Sequence, residues 1–375
     1  MASTLRQRSL YVLYVFMAHR PPPPRGRGAP SSALSARFAL PGREIDGDWL
    51  DAREDLDGPA PLRTTITEEA ARRILTRNTS PDIPFDRSIN AYRGCEHGCI
   101  YCYARPTHAY LDLSPGLDFE SRLFAKPDAA RLLRRELGAK SYRPAPIAMG
   151  TNTDPYQPIE ARYRLTRQIL ELCLETGHPV TITTKSDRIL ADIDLLAALA
   201  RRRLTAVAIS VTSLDPALSR KLEPRAASPA KRLAAVEALS AAGVPVWVNV
   251  SPIIPAITEE WIERILEQAA ARGAQGASWI MLRLPHEVAP LFREWLSLHF
   301  PDRAEKVMSI VQSIRGGRDY ENGFHTRMKP QGVWADLIRA RFRIAKARVG
   351  LGDEGPTLDI NQFRPPERNG QLRLF

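Results

Sequence analysis

The sequence predicts an α/β fold, a partial (β/α)6 barrel over residues 88–299. Three observations predict it. Short β-branched runs alternate with amphipathic stretches of 3.6-residue period. Gly177, Gly243 and Gly273 close those stretches, as helix-ending residues do. Three of the four cysteines fall within eight positions, directly after the first strand.

The elements follow in order. Residues 88–92 read as the first strand and end at the cysteine loop. Strands at 147–150, 180–184, 206–211, 244–250 and 278–282 follow. Helices at 162–175, 189–201, 229–242, 259–272 and 288–299 come after the second to sixth strands. Such a series implies parallel strands with right-handed crossovers. Six units rather than eight imply an open barrel, with functional residues at the C-terminal ends of its strands.

The flanks differ in character. Residues 1–45 form a basic Pro/Arg/Gly-rich segment that is expected to be disordered, with prolines at 21–24 followed by Arg-Gly-Arg-Gly. Residues 46–87 read as an irregular lead-in with one short helix at 68–76. Residues 300–364 form a helical extension. Its 333–349 stretch is a basic helix, with Arg339, Arg341, Arg343, Lys346 and Arg348 around a stripe of Leu337, Ile338, Phe342 and Ala345. Residues 365–375 read as a flexible tail.

Composition narrows the function classes. The hydrophobic fraction of 44% and charged fraction of 25% suit a soluble globular protein, and no apolar run reaches membrane-spanning length. The net charge of +11 lies at the ends, since residues 1–43 hold seven Arg and no acid while the middle is near neutral. Basic ends suit either a polyanionic partner, DNA or RNA, or a solubilising role. Clustered cysteines point to metal in a reducing compartment, not to a disulfide framework. Residues 10–18 are apolar behind Arg6 and Arg8, like a weak signal peptide. A start at Met17 and a cytoplasmic location are the preferred reading.

The cysteine loop runs Arg93-Gly94-Cys95-Glu96-His97-Gly98-Cys99-Ile100-Tyr101-Cys102-Tyr103. Thiolates at C-x3-C-x2-C spacing suit an iron–sulfur cluster. Three of them leave one iron of a [4Fe–4S] cubane open for an external ligand, which implies catalysis. Cys173 lies in an apolar helical run and reads as a core residue. The competing reading is a structural zinc site of the three cysteines with His97, in a non-catalytic nucleic-acid-binding protein.

The motif resembles the radical SAM superfamily over residues 85–290. Within it the chain resembles the spore-photoproduct-lyase-like branch. That likeness is carried by Asn90-Ala91-Tyr92-Arg93-Gly94-Cys95, Thr153-Asp154-Pro155-Tyr156-Gln157-Pro158-Ile159-Glu160, Thr184-Lys185-Ser186, Ile209-Ser210-Val211-Thr212 and Glu223-Pro224-Arg225. Ser80-Pro81-Asp82-Ile83 and Ala104-Arg105-Pro106-Thr107-His108 are similar to a bacterial subgroup of unnamed substrate.

The resemblance implies a radical SAM type of barrel and an enzyme. In it, Cys95, Cys99 and Cys102 hold a [4Fe–4S] cluster. An electron from a flavodoxin- or ferredoxin-type donor cleaves S-adenosylmethionine (SAM), giving a 5′-deoxyadenosyl radical that takes hydrogen from a substrate. It assigns Lys185 to the SAM carboxylate, Thr153 to the methionine amine, Ser210 to the carboxylate or ribose and Tyr101 to the adenine. Asn249 and Ser251 are weaker ribose candidates. Asp154 reads as orienting SAM, entering the substrate chemistry or starting a turn, and Tyr103 as a radical relay or as packing. Glu223 and Arg225 are expected to form an internal ion pair. The resembled lyase repairs a thymine lesion with a cysteine near the position of Thr151. No cysteine stands here, so a different nucleic-acid substrate is the preferred expectation, with modification of a protein or a small molecule as the alternative. The tail residues Gln371, Leu372, Leu374 and Phe375 either dock back onto the barrel or serve as a partner-binding peptide, since they resemble a short motif that binds the DNA polymerase sliding clamp.

Overall fold

The computed structural model describes residues 24–38 and 62–367. Ten strands follow along the described chain: β1 (Thr65–Glu68), β2 (Leu75–Arg77), β3 (Arg87–Ile89), β4 (Tyr92–Arg93), β5 (Arg122–Ala125), β6 (Ile147–Met149), β7 (Val180–Thr184), β8 (Thr205–Ser210), β9 (Val246–Ile253) and β10 (Gly276–Met281). Seven form one sheet in the order β10-β9-β8-β7-β6-β3-β2. Its six strands from β3 to β10 pair in parallel, with register partners Ser88–Ala148, Val180–Thr205 and Ser210–Asn249 among others. Only β2 runs antiparallel, at the edge. This is the partial six-stranded barrel that the sequence predicts.

Alternation along each strand explains the layering. In β7, Val180, Ile182 and Thr184 are buried while Thr181 and Thr183 are half-buried. The apolar set (Ile182, Val207, Val248) packs on helices that follow the strands. These are α1 (Leu165–Thr176), α2 (Ile193–Arg201), α3 (Pro229–Ala241) and α4 (Ile262–Ala270). The opposite parity, including Ser210, Asn249 and Ser251, is left for the concave side. Gly177, Gly243 and Gly273 all take positive φ just past these helices, as expected of breakers.

Three differences from the sequence reading have physical causes. The expected helix at 68–76 is absent: Thr65-Ile66-Thr67 is a β-branched run that forms β1, and the chain re-enters a strand at Leu75. The expected first strand is split: β3 joins the large sheet, while β4 pairs with β5 in a separate sheet of order β1-β5-β4. The helix expected at 333–349 forms as α5 (Val333–Arg348), but Leu337 is 53% exposed and the packed seam is Ala335, Ile338, Phe342 and Ala345. Those four positions recur at helical spacing, and Leu337 falls off their face.

α5 docks on α4. Arg341 pairs with Glu263 at 2.8 Å and Arg348 with Glu267 at 2.6 Å. Lys346 pairs with Asp353 at 2.5 Å, and Arg339 with Asp336. Four of its five cations therefore face carboxylates of the chain itself. Among the described residues no helix is long and apolar enough to cross a membrane.

Phe342, buried at this seam and tilted against Trp279 at 6.1 Å, tests the docking. Phe342→Ala should cost about 3 kcal/mol, the low end for such a truncation because a cavity already borders the ring. An unchanged midpoint in urea unfolding would show that α5 does not stabilise the barrel.

Candidate active site

The cysteine loop leaves β4 at Gly94 and stays close to the barrel. The Cys95 N–H donates to the Phe119 carbonyl at 2.9 Å, and the Ile100 N–H to the Leu222 carbonyl at 3.1 Å. Gln157, fully buried, grips both sides of Cys95: its amide donates to the Gly94 carbonyl at 3.2 Å and accepts from the Glu96 N–H at 2.9 Å. Cys95 and Cys99 are buried and Cys102 is half-buried. Burial, with Asp154 and the other cysteines adding to it, pushes the Cys95 thiol well up; burial pushes Cys99 up to about 12. Cys102 is among the groups that oppose ionisation of both, so the three cysteines lie close together.

The loop is braced from behind by Arg105, which is fully buried. Its guanidinium donates to the carbonyls of Cys99 (2.9 Å), Gly98 (3.1 Å), Pro115 (3.1 Å) and Gly116 (2.7 Å), and to the Glu120 carboxylate (3.0 Å). Glu120 in turn accepts from the backbone N–H groups of Gly28 and Ala29, both at 2.8 Å. Arg27 donates to the Glu120 carbonyl at 2.6 Å. Residues 24–38, expected to be disordered, are thus a packed strap across the loop. A Cβ on Gly28 would lie 1.6 Å from the Gly98 carbonyl oxygen, so only glycine allows the approach. Composition hid this, because a Pro/Arg/Gly tract carries no periodic signal.

Asp154 is a junction. It accepts from Thr184 Oγ1 (2.6 Å), the Lys185 N–H (2.8 Å) and the Tyr156 N–H (2.9 Å), and His97 Nδ1 lies at 3.3 Å. Burial opposes its charge, but His97 and these donors outweigh that and hold its pKa down at about 2. The carboxylate ties the ends of β6 and β7 to the cysteine loop. It also engages the ring on which a Cys3His zinc site would depend.

Lys185 is half-buried at the end of β7, with its ammonium 5.9 Å from the centre of the Tyr101 ring. Burial lowers its pKa, but Cys99 and Glu223 more than reverse this. Tyr101 is buried and its hydroxyl donates to Glu223. Glu223 pairs with Arg232, not with the expected Arg225, which pairs with Glu96 at 3.2 Å. Arg232 follows at helical position on α3 and reaches the Ser210 carbonyl at 3.1 Å, a contact that sequence adjacency could not show. Thr212 joins the same group, donating to Glu223 at 2.8 Å.

Ser210, Asn249 and Ser278 are register partners across β8, β9 and β10, so two of the predicted residues form a polar row with a third that sequence reasoning missed. Ser278 donates to Asn249 Oδ1 at 2.5 Å. The Ser251 hydroxyl is buried without a partner. Thr153 donates to the Tyr92 carbonyl at 3.3 Å, so its hydroxyl is engaged within the protein. Tyr103 is 47% exposed, and its hydroxyl meets the Thr151 carbonyl.

A family model described as the radical SAM superfamily matches residues 89–269. An uncharacterized protein of Mycobacterium tuberculosis is 40% identical over 294 residues, covering 77% of this chain and 80% of the relative. The chain belongs to the radical SAM superfamily. An uncharacterized protein of Methanocaldococcus jannaschii is 30% identical over 168 residues, 44% of this chain and 60% of that protein. Among solved structures, spore photoproduct lyase with dinucleoside spore photoproduct superposes with a TM-score of 0.56, covering 85% of this chain and 88% of that one at 15% identity. At that identity the likeness speaks for the fold alone.

Radical SAM proteins are enzymes that use a [4Fe–4S] cluster and SAM, and the residues present fit that pair. The donor set is three thiols from one loop, with no fourth: Cys173 is buried in the barrel core, its pKa raised to about 12 by burial. Among the described residues no three His, Cys, Asp or Glu side chains could hold a single metal ion. A cubane asks less convergence of its thiolates, because each binds a different iron.

The strap generates a prediction. Gly28→Ala should lower iron per chain after anaerobic reconstitution at least several-fold, with far-UV circular dichroism unchanged. Gly26→Ala, where an added Cβ meets nothing within 4 Å, should lose only about 1 kcal/mol of stability for its positive φ and keep its iron. Equal iron in both variants would mean that the strap does not hold the loop.

Proposed function

We propose that Cys95, Cys99 and Cys102 ligate the [4Fe–4S] cluster, and that the enzyme uses SAM to abstract hydrogen from a substrate held at the mouth of the barrel. The observation that carries this is the three-thiol loop at the strand ends, braced by the buried Arg105–Glu120 pair. When bound, cluster and SAM supply a 5′-deoxyadenosyl radical from one electron of a flavodoxin- or ferredoxin-type donor. The chain places and shields. Lys185 neutralises the SAM carboxylate. Tyr101, pinned by Glu223, presents a fixed aromatic surface, and the row Ser210–Asn249 with Ser251 supplies hydrogen bonds for the ribose. Asp154 sets the spacing between the cysteine loop and Lys185.

The substrate we propose is nucleic acid. The fold likeness to a lyase whose structure contains a dinucleoside lesion supports it. Thr151, near the position where that lyase carries a cysteine, offers no thiol hydrogen donor, so the outcome differs from that repair. The domain division we propose keeps residues 88–299 as the catalytic core, 300–364 as a docked extension and 365–375 as a tail. Gln371, Leu372, Leu374 and Phe375 lie outside the described residues, and their binding to the sliding clamp stays a proposal on sequence alone.

Two measurements test this reading. Reduction of the reconstituted enzyme with dithionite in the presence of SAM should yield 5′-deoxyadenosine. Cys95→Ala, Cys99→Ala and Cys102→Ala should each abolish it, while Cys173→Ala retains iron and product. Loss of iron in Cys173→Ala alone would overturn the ligand assignment. A synthetic peptide of residues 366–375 should bind purified clamp in the micromolar range, roughly −8 kcal/mol. The same peptide with Leu374→Ala and Phe375→Ala should not, and equal behaviour ends the clamp proposal.

A further inference from the structure

A cavity of about 480 Å³ opens at the C-terminal ends of β3 and β6, floored by Asn90, Thr151 and Asn152 and walled by Tyr103. Tyr103 follows Cys102 directly, so the cavity adjoins the cysteine loop. Its volume suits a nucleotide-sized ligand. Its lining contains three cations, Arg77, Arg93 and Lys126, and no carboxylate.

Each cation is under-satisfied in the free protein. Lys126 donates only to the Asn90 carbonyl, at 3.1 Å, and has no carboxylate in ion-pair distance among the described residues. Burial and the adjacent Arg93 both hold its pKa below the ordinary lysine value, against an opposing effect of Glu69. Arg93 gives one nitrogen to Glu69 at 2.6 Å, and its Nε is buried without a partner. Arg77 meets Asp86 at 3.3 Å with both groups more than half exposed, a weak and exchangeable contact. Neighbouring cations with unfilled donors are stabilised by an anion placed between them.

The aromatic content says which anion. Phe85 and Tyr103 both line the cavity with partly exposed rings. Arg283 lies over the Tyr103 ring at 5.0 Å, and its Nε too is buried without a partner. Cations that follow a backbone, interleaved with rings on which bases stack, are the pattern of single-stranded nucleic-acid sites. An acidic peptide would use the cations and leave the exposed part of these rings unused.

We propose that this cavity is the substrate subsite and takes a phosphate-bearing nucleotide unit of a single-stranded nucleic acid, with Arg77, Arg93 and Lys126 on the phosphates and Tyr103 against a base. The inference rests on the radical SAM reading, since closeness to Cys102 is what makes the cavity a substrate site. It moves the nucleic-acid contact away from the basic α5, four of whose five cations are paired within the protein.

The test is fluorescence anisotropy of the full chain with labelled oligothymidylate and oligouridylate decamers at several salt concentrations. Arg77→Ala with Lys126→Ala should weaken binding at least about tenfold. It should also flatten the slope of log K against log salt by about 1.4, two single-strand phosphate contacts. Arg339→Ala with Arg343→Ala on α5 should change neither. Circular dichroism checks the fold, and Arg77→Gln with Lys126→Gln repeats the test at closer size. No binding by the wild type, equal binding by the cavity variants, or displacement by inorganic phosphate or polyglutamate at the oligonucleotide's own concentration would overturn the proposal. The binding needs no cluster, so the two readings fail separately. An enzyme that makes 5′-deoxyadenosine yet binds no oligonucleotide refutes this inference together with the nucleic-acid substrate and leaves the radical reaction standing, and the reverse result refutes the proposed reaction.

Discussion

The buried pair of Arg105 and Glu120 is the interaction on which the site depends. Both side chains are wholly removed from water. Removing two charges from water costs several kcal/mol each, and mutual attraction alone seldom offsets that. The offset here comes from hydrogen bonds: Arg105 makes five, and the Glu120 carboxylate accepts three. Almost all of the remaining partners are backbone groups of irregular segments. The carbonyls of Gly98, Cys99, Pro115 and Gly116 and the N–H groups of Gly28 and Ala29 belong to no helix or sheet ladder. Buried backbone of that kind must find partners somewhere. The ion pair supplies them at one point, and so fixes the cysteine loop between the strap and the barrel. The same closeness excludes a side chain at Gly28.

The strand ends repeat the logic with two other carboxylates. Asp154 joins β6, β7 and His97 of the loop, and Glu223 joins Tyr101 and Thr212 to Arg232 of α3. Both are held ionised against burial by specific donors rather than by solvent. Each acid therefore has its charge answered by the protein itself. Lys185 stands between them with no carboxylate in ion-pair distance among the described residues, close to Tyr101 and Cys99. Positioning falls to the acids, and the side chain left available for an anionic ligand is the lysine.

The barrel was legible in the sequence because its signals are local. Ile182, Val207 and Val248 sit in short β-branched runs, and Gly177, Gly243 and Gly273 punctuate the helices between them. The cysteine loop was legible because its spacing is itself the signal. What was missed depends on distant partners. The strap 24–38 has no periodicity, and its order comes from Glu120, more than ninety positions away. Glu223 was matched to the nearby Arg225, but the backbone turns there and α3 brings Arg232 instead. Leu337 read as core because it is apolar, whereas helix phase puts it on the solvent side of α5. The small β1-β5-β4 sheet escaped because its strands are two to four residues long and pair across 31 to 57 positions.

Charge shows the same contrast between composition and place. The net +11 drew attention to the two ends of the chain, where basic residues are dense. In the folded chain, density is a poor guide to availability. On α5 the cations alternate with a seam that docks on α4, and their partners Glu263 and Glu267 are on that helix's own surface. In the strap, Arg27 is bound to the carbonyls of Glu120 and Leu62. Around the cavity the cations are few and come from separate elements: Arg77 from β2, Arg93 from β4, and Lys126 just past β5. Their convergence is a product of the edge where the two sheets meet. Beside Tyr103 three cations converge with only one ion pair each for Arg93 and Arg77 and none for Lys126 among the described residues, whereas on α5 four of five cations are answered by carboxylates.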